Sequence, residues 1–146
     1  MKDEPYTDGE ITDSDRAREA CIKVEELCRR YLATTEAGDL DASLAIFSCD
    51  ATVTSPISGK QPARDFYPNV LRITSARSMV LKHIFTGTTD PYSAAVHFAY
   101  TRTVGKGKPA TLECVDVFEL SRVLSRFSSV TIIYDTAPVQ SDFVKH

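Results

Sequence analysis

With 146 residues, 42% of them hydrophobic and 25% charged, the chain can bury one sizeable core and form one domain. Its net charge is −3, and lysine and arginine are scattered without a basic run, which argues against nucleic acid and anionic membrane as partners. No apolar stretch approaches the roughly 20 residues of a membrane span, and the acidic start MKDEPYTDGEITDSD is neither a signal peptide nor a transit peptide, so a cytoplasmic protein is expected.

In chain order, residues 1–12 read as a disordered tail, with Ile11 able to tuck against the first helix. Thr12 or Ser14 can cap a helix that runs to about Ala37, because Ala17, Cys21, Val24, Cys28, Tyr31 and Leu32, with Leu27 beside them, recur at i, i+3/i+4 spacing. Gly38 supplies the left-handed stop. Asp39 or Asp41 then caps a short helix with Leu44 and Phe47 inward, and the Gly-Asp pair is the corner that folds two helices back on each other. DATVTSP reads as a strand ended by Pro56. SGKQPARDFYPNVLR reads as a turn and a helix, with Pro62 tolerated in its first turn and a kink or break expected at Pro68.

Four alternating segments follow, at 78–86, 94–103, 110–120 and 127–134, with GKGK as a hairpin loop between the second and third. Helices followed by a run of antiparallel strands predict an α+β domain over 13–138, with 139–146 as a C-terminal tail holding His146.

The four cysteines, Cys21, Cys28, Cys49 and Cys114, have no C-x-x-C spacing, and Cys21 and Cys28 lie about 10 Å apart along a helix, too far for a disulfide. All four are read as reduced thiols acting as small apolar residues. No metal and no cofactor are expected.

Alternation places Val96, Phe98 and Tyr100 on one face of their strand and His97, Ala99 and Thr101 on the other. Leu112, Cys114, Asp116 and Phe118 likewise share a face, opposite Glu113, Val115, Val117 and Glu119. If the Phe118 face packs on the helices, Asp116 aims a carboxyl group into the core. Such a group needs hydrogen bonds or a proton, and Tyr31 on the buried helix stripe needs a partner for its hydroxyl. One reading is structural, with Tyr31 bonded to a backbone carbonyl and Asp116 solvated or paired. The other is a site in which both face a ligand.

At these residues the chain resembles a known family. YLATTEAGDLDASLAIFSCDATVTSP, SGKQPARDFYPNVL, VHFAY and VDVFEL, in that order and spacing over residues 20–137, are similar to the nuclear transport factor 2-like superfamily, and within it to ketosteroid isomerase and the SnoaL-like polyketide cyclases. The resemblance implies a cone: a curved antiparallel sheet wrapped around a long N-terminal helix, with two further helices and an apolar pocket, a cystatin-like roll. It implies a small apolar ligand and a homodimer built on the outer sheet face. Here that face carries His97, Ala99, Val115 and Val117, whose two valines would otherwise meet water.

By the same resemblance, Tyr31 and Asp116 match the two oxyanion-hole residues of ketosteroid isomerase. The chemistry agrees, since an apolar site keeps a carboxylic acid neutral, and two donors aimed at one oxygen stabilise an enolate-like charge. The general base of that enzyme falls at Ser55, and serine cannot take a proton from carbon at neutral pH. His83 is the best candidate substitute, set against a plain surface or satisfied core histidine: Met79, Leu81, His83 and Phe85 share a strand face, and KHIFTG resembles a segment of scytalone dehydratase that carries a catalytic histidine. The expected pocket lining is Ser55, Phe66, Tyr67, Val96, Phe98, Tyr100 and Phe118. Asp135 closes the last strand, as a structural cap or as a carboxylate at the pocket mouth. Two functions follow: a cofactor-free isomerase, cyclase or dehydratase acting on an apolar carbonyl compound, or a non-catalytic module of the same fold that binds a hydrophobic ligand or dimerises.

Overall fold

A computed structural model describes residues 12–122 and 125–139; Ile11, His146 and all of the tails expected at 1–12 and 139–146 except Thr12 and Val139 lie outside them. The element order is α1 (Asp13–Ala37), α2 (Leu40–Ala45), β1 (Phe47–Ser55), β2 (Gly59–Pro62), α3 (Ala63–Ile73), β3 (Thr74–Thr86), β4 (Ser93–Val104), β5 (Ala110–Leu120) and β6 (Phe127–Ile133).

Of the two candidate caps, Thr12 is used. Its Oγ1 accepts from the Asp15 amide at 3.1 Å while Asp15 accepts from the Thr12 amide, so two orphan donors of α1 are satisfied reciprocally. At the other end Gly38 takes φ 71°, the left-handed C′ geometry, and the guanidinium of Arg77 packs where a β-carbon would sit. Asp39 caps α2 through the Ala42 amide. That helix is shorter than expected, and Phe47 belongs to β1, buried in the core. Pro62 is the N-cap of α3, and the helix runs unbroken through Pro68. The hydrogen bond that Pro68 cannot make would reach the carbonyl of Arg64, an exposed first-turn residue that water can serve, while buried Ala63 and Tyr67 hold the helix to the core.

The six strands form one sheet in the order β2-β1-β6-β5-β4-β3. Strands β3 to β6 are an antiparallel meander; β1 joins β6 in parallel and β2 in antiparallel fashion. Val24, Leu27, Cys28, Tyr31 and Leu32 of α1 lie buried in one cluster with Phe47, Val53, Val96, Phe98, Phe118, Phe127 and Val130 of the sheet. Each large side chain so buried contributes roughly 1.5–3 kcal/mol of transfer free energy. The inner-face alternation of β4 and β5 is as the sequence pattern predicts.

Strand β3 departs from its alternation. Leu81 pairs with Phe98, but His83 pairs with His97 and Ile84 with Val96, so Lys82 is an extra, bulged residue. The bulge reverses the facing of everything after it. Met79 and Leu81 pack against the core, but His83 and Phe85 turn to the outer face. No described helix is long and apolar enough to cross a membrane.

Candidate functional site

Between α1, α3 and the inner sheet face lies a cavity of about 150 Å³ whose wall is mostly apolar. Asp116 enters from the middle of the sheet, where β5 pairs with Val96 on one side and Ile132 on the other. It is 1% exposed, and its Oδ1 has no hydrogen-bond partner. Burial raises its pKa from an ordinary carboxylate value to about 7, against which hydrogen bonding from the Tyr31 hydroxyl pulls downward.

Tyr31 comes from the buried stripe of α1. Its ring meets Phe118, Tyr67 and Phe47 edge-on at 4.9, 6.1 and 6.2 Å between centroids, which fixes where the hydroxyl points. Tyr67 of α3 donates its hydroxyl to the Tyr31 oxygen at 3.0 Å. That leaves the proton of Tyr31 for another acceptor. Burial pushes both phenols above their ordinary range, so both stay protonated. The structural reading of Tyr31, with a backbone carbonyl as partner, is not the arrangement found: its partner is a phenol and its neighbour a buried carboxyl, all three on the cavity wall.

Ser55, Phe66, Tyr67, Phe98 and Tyr100 line the cavity as expected. Ser55 also accepts from the Ser58 amide at 3.2 Å and so shapes the turn after β1. Val96 and Phe118 do not line it. Val96 is fully buried, and Phe118 stacks on Phe127 at 4.2 Å, so the aromatic packing behind Tyr31 seals both from the cavity.

His83 is the larger correction. The Lys82 bulge places it exposed on the outer face, its ring stacked with His97 at 5.7 Å, and it cannot reach the Tyr31–Asp116 pair. There His97 Nε2 lies 2.8 Å from Glu113 Oε2, and Lys82 binds Glu113 Oε1 at 2.6 Å. These two partners hold the Glu113 carboxyl below its usual range. Asp135 is a cap, its Oδ1 accepting from the Ala137 amide at 3.0 Å. The thiols of Cys28 and Cys114 are buried, and burial pushes the Cys28 pKa to about 12, whereas Cys49 is exposed.

A family model for the SnoaL-like domain matches residues 28–122, most of the chain and both members of the Tyr31–Asp116 pair. The chain belongs to the SnoaL-like domain family. Solved structures agree on the SnoaL-like fold. PrhC from Penicillium brasilianum NBRC 6234 is similar at 13% identity and a TM-score of 0.72, over 84% of this chain and 87% of that one. SalBIII, an epoxide hydrolase/cyclase-like enzyme with a role in pyran ring formation in the polyether salinomycin, is similar at 20% identity and 0.69, over 80% and 94%. TerC, co-crystallized with polyporic acid, is similar at 15% identity and 0.69, over 82% and 96%.

Among the wall residues of this SnoaL-like cavity that escaped the sequence reading are Arg102 and Thr35. Arg102 extends the 96-98-100 alternation by one more step, so the period-2 pattern contained it; it is 2% exposed. Thr35 sits one turn after Tyr31 on the same helix face, buried, with Oγ1 lacking a hydrogen-bond partner. A threonine beside an apolar stripe gives no such signal.

Proposed function

We propose that this SnoaL-like chain is a cofactor-free proton-transfer enzyme acting on a small apolar carbonyl compound, in an isomerisation, cyclisation or dehydration. The observation that carries the reading is Asp116, a fully buried carboxyl with a pKa near 7 beside the Tyr31 phenol in an apolar cavity. The substrate carbonyl oxygen accepts a hydrogen bond from Tyr31, whose own oxygen is polarised by the hydroxyl of Tyr67. The developing enolate charge is thereby stabilised in a site of low dielectric. Among the described residues no imidazole and no second carboxyl lines the cavity. The proton-moving role expected of His83 therefore passes to Asp116, which exchanges a proton readily near neutral pH. In its ionised form it takes the proton from carbon; in its neutral form it returns one or donates to the oxygen. Similar structures described with pyran ring formation and with polyporic acid support small oxygenated ring compounds as the substrate class. The working unit in this proposal is a homodimer joined through the outer sheet face.

The test uses simple probe ketones. Deuterium exchange at the α-carbon of cyclic β,γ-unsaturated ketones is followed by NMR in heavy water. Wild type should exceed the buffer rate, Tyr31→Phe should lose on the order of 100-fold, and Asp116→Asn at least as much. Ketone binding that depends on Tyr31 without any exchange would instead favour the non-catalytic ligand-binding reading.

A further inference from the structure

The bulge at Lys82 has a further consequence on the outer sheet face. Regular pairing beyond Leu81 would have set Lys82 opposite His97, but the extra residue sets His83 there instead. Two imidazoles that alternation had placed on opposite faces thus become a directly opposed cross-strand pair, and the register of β3 and β4 holds their backbones in place. Their Nδ1 atoms are 3.5 Å apart, with the ring centroids at 5.7 Å and the ring planes inclined by 18°, so the two nitrogens face each other across the gap.

Glu113 decides which nitrogen of His97 carries the proton. His97 Nε2 lies 2.8 Å from Glu113 Oε2, while Lys82 Nζ holds the other carboxylate oxygen at 2.6 Å. An ionised carboxylate only accepts, so His97 keeps its proton on Nε2 and turns the bare lone pair of Nδ1 toward His83. A proton on His83 Nδ1 would have to bridge 3.5 Å, beyond the roughly 3.2 Å at which ordinary N–H hydrogen bonds end. Two nitrogens bound to one tetrahedral zinc ion, each at about 2.0–2.1 Å, are about 3.4 Å apart. The gap is therefore too wide for a good hydrogen bond and matches the span of two ligands on one ion.

We propose that His83 and His97 form a zinc-binding site on the outer sheet face, each coordinating through Nδ1, with Glu113 as the positioning residue. Imidazole nitrogen is a preferred zinc donor, and a carboxylate on the far nitrogen orients the ring and raises its basicity. Two imidazoles fill half of the tetrahedron and water fills the rest, since among the described residues no group of three or more His, Cys, Asp or Glu converges on an ion. His83 is exposed and the His97 side chain is 30% exposed, so the ion enters directly from solvent. The inference rests neither on the proposed catalysis, because the pair lies on the sheet face away from the cavity, nor on the homodimer, because both ligands come from one chain.

The test is a titration of the nitrogen-15-labelled full chain with zinc chloride at pH 7.5, read from the imidazole nitrogens by NMR. Nδ1 of His83 and Nδ1 of His97 should shift together and saturate at one ion per chain, and magnesium, which prefers oxygen ligands, should move neither. His83→Gln and His97→Gln should each weaken binding at least tenfold, whereas His146→Ala, which removes the remaining histidine, should leave it unchanged. Glu113→Gln should weaken binding by about tenfold or more and, without zinc, release His97 into a mixture of tautomers; Glu113→Asp should restore part of both. A purely structural role for Glu113 would not move the tautomer. Circular dichroism checks that each variant is folded, and the wild-type spectra identify the coordinating nitrogens whether or not a variant folds. No shift of either imidazole at millimolar zinc, a shift of only one, coordination through Nε2, or binding that survives both histidine substitutions and so belongs to a donor such as the exposed Cys49 thiol would each overturn the proposal.

Discussion

Asp116 shows how far a single residue can be read. Alternation along β5 is enough to point its side chain inward, and an inward carboxyl must be neutral, paired or functional. What alternation cannot supply is the company it keeps: Tyr67 reaches Tyr31 only because α3 folds back over β1, a tertiary fact with no local signal. The consequence for stability has a definite sign. A folded pKa raised from 3.8 to about 7 means that the native state holds its proton where the unfolded chain has released it. The contribution is fully present below about pH 4 and is lost as pH rises to about 7, at most about 4 kcal/mol for three units. Asp116→Asn should therefore gain on wild type between pH 4 and 8 in urea unfolding, and equal stability differences at the two ends would contradict the assignment. Activity should run the other way. If the ionised carboxyl takes the proton from carbon, kcat/KM for α-proton exchange rises tenfold per pH unit below about 7 and then levels. A profile that falls above pH 7 would make Asp116 a neutral donor instead, and Asp116→Asn, which keeps a donor, would then retain most of the rate.

Helix ends were legible because capping chemistry is local. The Gly38 stop follows from one residue, and the caps were narrowed to Thr12 or Ser14 and to Asp39 or Asp41; the Thr12–Asp15 box and the Asp39 cap are the choices the structure makes between them. Gly38→Ala should cost about 1–2 kcal/mol in urea unfolding, since the left-handed backbone carries that penalty for an L side chain and the Arg77 guanidinium must also move. A variant as stable as wild type would show that this corner can relax. The bulge in β3 was not legible for the opposite reason. Residues 78–86 alternate regularly, and nothing in them marks Lys82 as the extra residue; the shift exists only in the pairing with β4. One inserted position moved His83 from the expected proton carrier to the outer face, which is the general hazard of a period of two. Pro68 misled in the other direction, since the cost of a helix proline depends on whether water can reach the carbonyl it abandons.

The outer sheet face carries three exposed large hydrophobic side chains, Val80, Phe85 and Ile133. The bulge that turns His83 outward also turns Phe85 outward, so two cross-strand rows form: His83, His97, Val115 and Ile133, then Phe85, Ala95, Val117 and Thr131. Phe85 is 54% exposed and Ile133 51%, with Val80 beside them at 57%. The expected interface of His97, Ala99, Val115 and Val117 thus lies inside a wider apolar patch than alternation alone had drawn. Lys82 and Glu113 close one flank with a salt bridge. Apolar area of this kind on a charged protein is stabilised by pairing with its own copy, because a two-fold axis sets the same rows against each other. We expect a homodimer at micromolar concentration in sedimentation equilibrium. Val117→Glu and Ile133→Glu should each shift it to monomer with the far-ultraviolet spectrum unchanged, because both side chains point away from the core. A wild-type monomer, or a dimer indifferent to both substitutions, would place the association elsewhere or remove it. The cavity opens on the opposite side of the sheet, so the monomeric variants should still bind the probe ketones with the Tyr31 dependence of wild type.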